Sequence, residues 1–311
     1  MQNGLPAVLR RSESDINPLQ PVLSSAMRSL KHIMKALFSM TTKRVALVTG
    51  ASSGIGEASA SKLLAAGYRV YGTSRRGSQA GTSPFPLLTL DVTDDASVEA
   101  AIEELLRLEG RIDILVNNAG FGVAPAAAEE SSIEQAMSIF NTNFLGIVRL
   151  TRAVIPHMRR QGSGRIINIG SILGLVPLPY MALYAASKHA VEGYSGALDH
   201  ELRTQGIRVS VIEPAYIKTQ FEAHNIEPDA KLEEYDLIRA KLAKVVGKAM
   251  AEAESPEVVA DVVVKAAKTL HPKVRYTAGS LAGKLNFIRR FAPASLLDKV
   301  VRKSLQLDAK E

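Results

Sequence analysis

Val45-Ala46-Leu47-Val48-Thr49-Gly50-Ala51-Ser52-Ser53-Gly54-Ile55-Gly56 joins a short apolar run to a glycine-rich turn. The apolar run at 45–49 predicts a buried strand, and the pattern from Gly54 to Ala66 predicts a helix. Glycines permit a tight turn and let backbone amides approach an anion, while the helix directs its N-terminus at the same point. A glycine cluster alone is weak. This one follows a strand and opens a helix, the context a pyrophosphate cradle requires. Gly50, Ser52, Ser53, Gly54, Ile55 and Gly56 are therefore expected to hold the phosphates of a dinucleotide.

The same alternation continues outward. Strands are expected at 69–73, 87–90, 112–116, 165–169 and 208–213. Helices are expected at 98–108, at 133–158 as one long helix or two with Pro156 near the end, and at 184–205. Short β-rich runs separated by helical periods mean βαβ units and a parallel sheet. Right-handed crossovers then put helices on both faces. The expectation is an α/β fold with a doubly wound parallel sheet of the Rossmann kind, in a single domain spanning 43–275.

The end of the second strand bears on which dinucleotide is held. A carboxylate about 20 residues after the glycines would bind a ribose 2′-hydroxyl. Here the stretch is Thr73-Ser74-Arg75-Arg76, with no carboxylate. The planar guanidinium fork suits a 2′-phosphate. The expected cofactor is NADP, with Arg75 the main contact and Ser74 or Arg76 assisting.

Composition removes several alternatives. The 311 residues include no cysteine, which excludes disulfides, thiolate catalysis and cysteine-ligated metals. The six histidines lack ligand-like spacing, so no metal site is expected. The formal charge of +7 is concentrated at the ends: residues 1–43 carry +4, 268–311 carry +7, and 44–267 carry −4. A mildly acidic body argues against nucleic-acid binding. No apolar run reaches the ~18 residues of a membrane-spanning helix, and no h-region follows Arg10 and Arg11. A cytoplasmic protein is expected.

The ends read differently from the body. In the extension at 1–42, residues 1–23 look poorly ordered. Leu23, Met27, Leu30, Met34, Leu37 and Phe38 then recur at helical spacing among basic residues. Residues 276–311 predict two further basic amphipathic helices split by Pro293. Such helices either lie on an anionic membrane surface or pack on their own domain or a partner subunit.

Tyr184 and Lys188 stand four residues apart in Tyr184-Ala185-Ala186-Ser187-Lys188, with Ser171 upstream. Positions i and i+4 share a helix face. An adjacent ammonium favours phenolate and lowers a tyrosine pKa from its usual ~10. Reaching about 7 needs roughly 4 kcal/mol of differential stabilisation, more than a lysine in water supplies. A partly desolvated lysine with a cationic cofactor beside it supplies more.

Together these motifs resemble the short-chain dehydrogenase/reductase family over about residues 43–219. Thr49-Gly50-x-x-x-Gly54-x-Gly56 is similar to its cofactor fingerprint, and Asn117-Asn118-Ala119-Gly120 to its second signature. Asn143, Ser171, Tyr184 and Lys188 fall where the family has its catalytic tetrad. The resemblance implies that Asp91 and Val92 contact the adenine and that Asn117 borders the adenine-side ribose. It implies that Pro214, Ile217 and Thr219 line the nicotinamide end. Ala215 stands where the family commonly has glycine. The resemblance also implies hydride transfer, with Tyr184 as general acid, Ser171 bonded to the same substrate oxygen, and Lys188 on the nicotinamide ribose. Asn143 would anchor a water that links Lys188 to solvent. Residues 216–250 resemble a lid, and Val123, Leu173, Leu178, Tyr180, Met181 and Phe221 are expected to line a pocket for a lipophilic carbonyl or alcohol. A homo-oligomer is expected by the same analogy. The rival readings are an NAD-linked alcohol dehydrogenase and a non-catalytic dinucleotide-sensing module.

Overall fold

The computed structural model describes residues 43–77, 83–219 and 225–307. The chain separates at Lys43/Arg44 into two units, and the second, Arg44–Glu311, carries the fold. The helix expected around Met27 and the pocket residue Phe221 lie outside the described residues.

Seven parallel strands form one sheet in the order β3-β2-β1-β4-β5-β6-β7. They are β1 (Val45–Val48), β2 (Arg69–Ser74), β3 (Leu87–Thr89), β4 (Ile114–Asn117), β5 (Gly164–Ile169), β6 (Ile207–Pro214) and β7 (Arg275–Ala278). The helices are α1 (Gly54–Ala65), α2 (Asp95–Glu109), α3 (Ile133–Phe140), α4 (Gly146–Gln161), α5 (Ala182–Leu202), α6 (Asp236–Ala251), α7 (Pro256–Lys268), α8 (Ser280–Phe291) and α9 (Ala294–Ser304).

The period-2 alternation of strand side chains divides the core into two layers. Ala46, Val48, Ile114, Val116, Ile167 and Ile212 point to one face, which α1 and α7 cover with Leu63, Val259 and Val263. Val45, Leu47, Leu115, Ile166 and Val209 point to the other, under α2, α4 and α5. Both faces of every central strand are dry, which is why these strands read as continuous apolar runs.

Of the two forms expected at 133–158, one long helix or two, the structure has two, α3 and α4, joined by a π-helical turn, Asn141–Leu145. One feature departs from the expected elements, a seventh strand. Arg275-Tyr276-Thr277-Ala278 has a charged first residue and a single large apolar one, so its sequence lacks a strand signature. It pairs in register with Val211–Pro214 and crosses residue 275, where the sequence reading ended the catalytic body.

The strand order reverses direction between β1 and β4. Loops after those strands diverge there and leave a crevice at the carboxyl ends, where ligands of such sheets bind.

Candidate active site

The glycine loop is built by exclusion of side chains. Gly50 and Gly54 have φ of +61° and +59°, a region that favours glycine. A Cβ on Gly56 would lie 2.2 Å from the Gly50 carbonyl oxygen, so α1 can approach the loop only through glycine. Ser53 is the extended N-cap of α1 with no side-chain capping bond, and Ser52 is exposed beside it. Ile55 packs into the core below. A Cβ on Gly54 would lie 3.3 Å from Thr219 Cβ, which places Thr219 over the loop.

Asn118 fixes this loop to the neighbouring strand. Its Nδ2 donates to the carbonyls of Thr49 (2.9 Å) and Gly50 (3.1 Å). Thr49 Oγ1 accepts from the backbone N–H of Asn118 and Ala119. The Asn118 clamp is a long-range contact that spacing does not reveal. Asn117, expected at the adenine-side ribose, turns its amide inward instead. It donates to Asn168 Oδ1 at 2.8 Å, and Asn168 donates on to Ser195.

Arg75 and Arg76 are exposed in the turn after β2. The Ser74 hydroxyl donates to the Gly77 carbonyl and so shapes that turn. Asp91 accepts from the Thr93 N–H and hydroxyl, bonds that hold its carboxyl below the ordinary value, with a smaller contribution from Arg75. Val92 is buried against Gly146. Ala119 and Gly120 continue from β4, and a Cβ on Gly120 would meet Asn143 Oδ1 at 3.0 Å. Pro214 ends β6. Ile217 is buried and bridges to Glu254. The glycine-lined cradle, the exposed guanidinium and the helix N-terminus together fit a phosphate-bearing dinucleotide.

Asn143, Ser171, Tyr184 and Lys188 converge at the carboxyl ends of β4 and β5. Ser171 caps the 3₁₀ turn Ile172–Gly174, accepting from Leu173 N–H at 3.1 Å, and also hydrogen-bonds the Tyr184 hydroxyl. Tyr184 and Lys188 lie in the first two turns of α5. The Lys188 ammonium is 5.6 Å from the Tyr184 ring centroid and donates to the Ile169 carbonyl at 2.9 Å. Asn143 sits in the π-helical turn. Its Oδ1 accepts from Phe121 N–H (3.0 Å), and its Nδ2 donates to Phe121 O (2.8 Å) and Ser187 Oγ (3.2 Å). The widened helical turn lets this side chain reach the loop after β4 while remaining beside α5.

The electrostatics agree with the expectation that the lysine by itself does not bring the phenol to neutral pH. Burial pushes Tyr184 up to about 12, and the Ser171 hydrogen bond opposes it. Burial lowers Lys188 to about 8, and Glu192 opposes that shift. Desolvation is the largest cause of both shifts. At neutral pH Tyr184 is thus protonated, the form a proton donor requires.

A shallow cleft opens beside Tyr184, lined by Val123, Ala126, Tyr180, Met181 and Leu183 among others. Leu173 and Leu178, also expected in the pocket, instead pack with Leu285, Leu297 and Val301 under the C-terminal helices. Tyr180 has a φ of +64°, a strained value for a bulky residue. It places its ring at 6.4 Å from Tyr235. Buried Glu130 holds the start of α6 and the segment before it, accepting from Leu232 N–H at 3.0 Å and pairing with Arg239.

Fold and site define a nicotinamide-dinucleotide oxidoreductase of the doubly wound type. Residues 44–230 match the short chain dehydrogenase family. The chain belongs to the short-chain dehydrogenase/reductase family, whose members move hydride between a nicotinamide dinucleotide and a carbonyl or CH–OH group. It is 38% identical over 240 residues to a 3-ketodihydrosphingosine reductase of Bacteroides thetaiotaomicron, covering 76% of this chain and 88% of that one. Among solved structures it is similar to ElxO with NADP bound (TM-score 0.64, 28% identity, 76% of this chain and 97% of that one). It is also similar to a 3-ketoacyl-(acyl-carrier-protein) reductase of Brucella melitensis complexed with NADH (TM-score 0.62, 28% identity, 75% and 96%).

Proposed function

We propose that the protein reduces a lipophilic ketone with NADPH. The observation that carries this reading is the Tyr184 hydroxyl, bonded to Ser171 at the mouth of an apolar cleft, with the Lys188 ammonium behind it. When bound, the cofactor supplies the hydride. Tyr184 gives its proton to the oxygen that gains charge as the carbonyl is reduced. Ser171 donates to the same oxygen and so stabilises the developing alkoxide. Lys188 holds ribose hydroxyls with the donors not used on Ile169. Asn143 fixes Phe121 and Ser187, and through them the spacing between the glycine crevice and α5.

Arg75, exposed at the end of β2 with no carboxylate in the Thr73–Arg76 stretch, supports the 2′-phosphorylated cofactor. Residues 225–250, the described stretch that ends the expected lid, serve as a lid anchored through Glu130, and the apolar lining at Val123, Tyr180 and Met181 takes a hydrocarbon chain. The likeness to a 3-ketodihydrosphingosine reductase makes a long-chain 3-keto amino alcohol the first substrate to try. Phe287 and Phe291 are about two-thirds exposed on α8 beside Arg289, Arg290 and Lys284, which supports peripheral contact with an anionic lipid surface. Among the described residues no helix is long and apolar enough to cross a membrane.

The experiment is a panel of lipophilic ketones, led by 3-ketodihydrosphingosine, followed by loss of NADPH absorbance. Turnover of long-chain ketones in preference to short polar ones supports the reading. Equal efficiency with NADH and NADPH would remove the cofactor assignment.

A further inference from the structure

Behind Lys188 lies a second buried ionic cluster that the proposed reaction does not use. Glu192 sits one helical turn beyond Lys188 on α5, so the two side chains leave the same face. Glu213 is the penultimate residue of β6, and Arg275 opens β7. Both carboxylates are buried. One guanidinium serves the pair: Arg275 Nε donates to Glu192 Oε2 at 2.7 Å and stands 3.8 Å from Glu213 Oε1. Glu192 Oε1 and both Glu213 oxygens accept no hydrogen bond among the described residues.

The Glu192 side chain also lies against the backbone that carries the catalytic groups. A Cβ on Gly170 would meet Glu192 Oε1 at 3.3 Å, and one on Gly174 would meet its Cγ at 3.1 Å. Gly170 separates Ile169, whose carbonyl holds Lys188, from Ser171. One guanidinium balances one buried carboxylate. A second ionised carboxylate in the same dry space is disfavoured, and carboxylates that share a site keep a proton between them.

We propose that Glu192 is a positioning residue for Lys188, the buried counter-charge that keeps its amine an ammonium, and that Glu213 carries the proton which leaves the pair with a single negative charge. The part concerning Lys188 rests on the role given to that residue above. The charged and titratable groups facing the pair are Lys188 and His189 from α5, Arg275 from β7 and Arg289 from α8. Burial, reinforced by Glu192, pushes Glu213 up to about 7. Burial lowers Lys188 to about 8 while Glu192 resists.

Two measurements on the full-length protein without cofactor test this. The first is the titration of the Lys188 ammonium by heteronuclear NMR, its signal identified by loss in Lys188→Met. Glu192→Gln should lower the pH of that titration by about 1 or more. Glu192→Asp, which keeps the charge, should hold it nearer the parent. A parental titration in folded Glu192→Gln overturns the positioning role, as does an equal drop in both variants. The second is the thermal midpoint against pH. Glu213 titrates higher in the native state than unfolded, so its favourable contribution is complete below about 4.5 and is lost as pH rises through about 7. The parent midpoint should fall between about pH 4.5 and 7, and Glu213→Gln should flatten that fall. A fall retained in Glu213→Gln overturns the shared proton. Neither measurement uses substrate, so an inactive protein with both titrations as expected would overturn the reductase reading alone.

Discussion

Lys188 Nζ donates a 2.9 Å hydrogen bond to the carbonyl oxygen of Ile169, the last residue of β5. The ammonium is thereby held at the strand end that leads into Ser171, and its reach toward Tyr184 is fixed by the sheet rather than by rotamer choice. Holding a buried cation this way costs solvation, which is why Lys188 titrates at about 8 rather than near its ordinary value.

A pH dependence follows. If the charged form binds ribose hydroxyls, NADPH affinity should weaken as pH rises through about 8, where the native protein loses that proton. NADPH fluorescence titrations from pH 6 to 9 check this. Lys188→Met should bind weakly at every pH and show no such decline.

Arg75 is predicted to select the phosphorylated cofactor. A charge-assisted bond to phosphate is worth about 1.5–3 kcal/mol, or roughly 10–100-fold in Kd. Arg75→Ala should raise the NADPH Kd by that factor and leave the NADH Kd within about twofold. Isothermal titration with both cofactors measures it.

Glu130 is predicted to hold the lid. Its carboxylate accepts from Ala127 N–H (2.8 Å) and Leu232 N–H (3.0 Å), and its carbonyl accepts from Ala230 N–H (2.9 Å). Glu130→Gln sets an amide NH₂ against a backbone donor and leaves Arg239 without its buried partner, at a cost of about 1–3 kcal/mol. Cleavage within 225–251 under limited proteolysis should accelerate, and KM should rise more than kcat falls.

The sequence was informative where chemistry is local. The run from Val45 to Gly56 sufficed for a strand, a cradle and a helix, because period and glycine placement are neighbour effects. Tyr184 and Lys188 were legible as an i, i+4 pair for the same reason. Contacts across the sheet were not. Asn117 and Asn118 are adjacent and chemically identical, yet one faces the core and the other clamps the Gly50 loop. That difference is set by strand pleat and partner position, which spacing does not encode. β7 escaped detection because its place is secured by pairing with β6 and not by its own four residues. The extent of the tyrosine's burial was also not legible, since it depends on how the chain packs around the hydroxyl, and that burial raises the phenol against the Ser171 hydrogen bond.

The most direct measurement is kcat for Tyr184→Phe with NADPH and 3-ketodihydrosphingosine, or with the best ketone of the panel, alongside its NADPH Kd. The phenyl ring keeps the packing and removes only the proton and hydrogen bond. We predict a kcat loss of at least about 10²-fold with the Kd nearly unchanged. Full turnover by that variant would contradict the account.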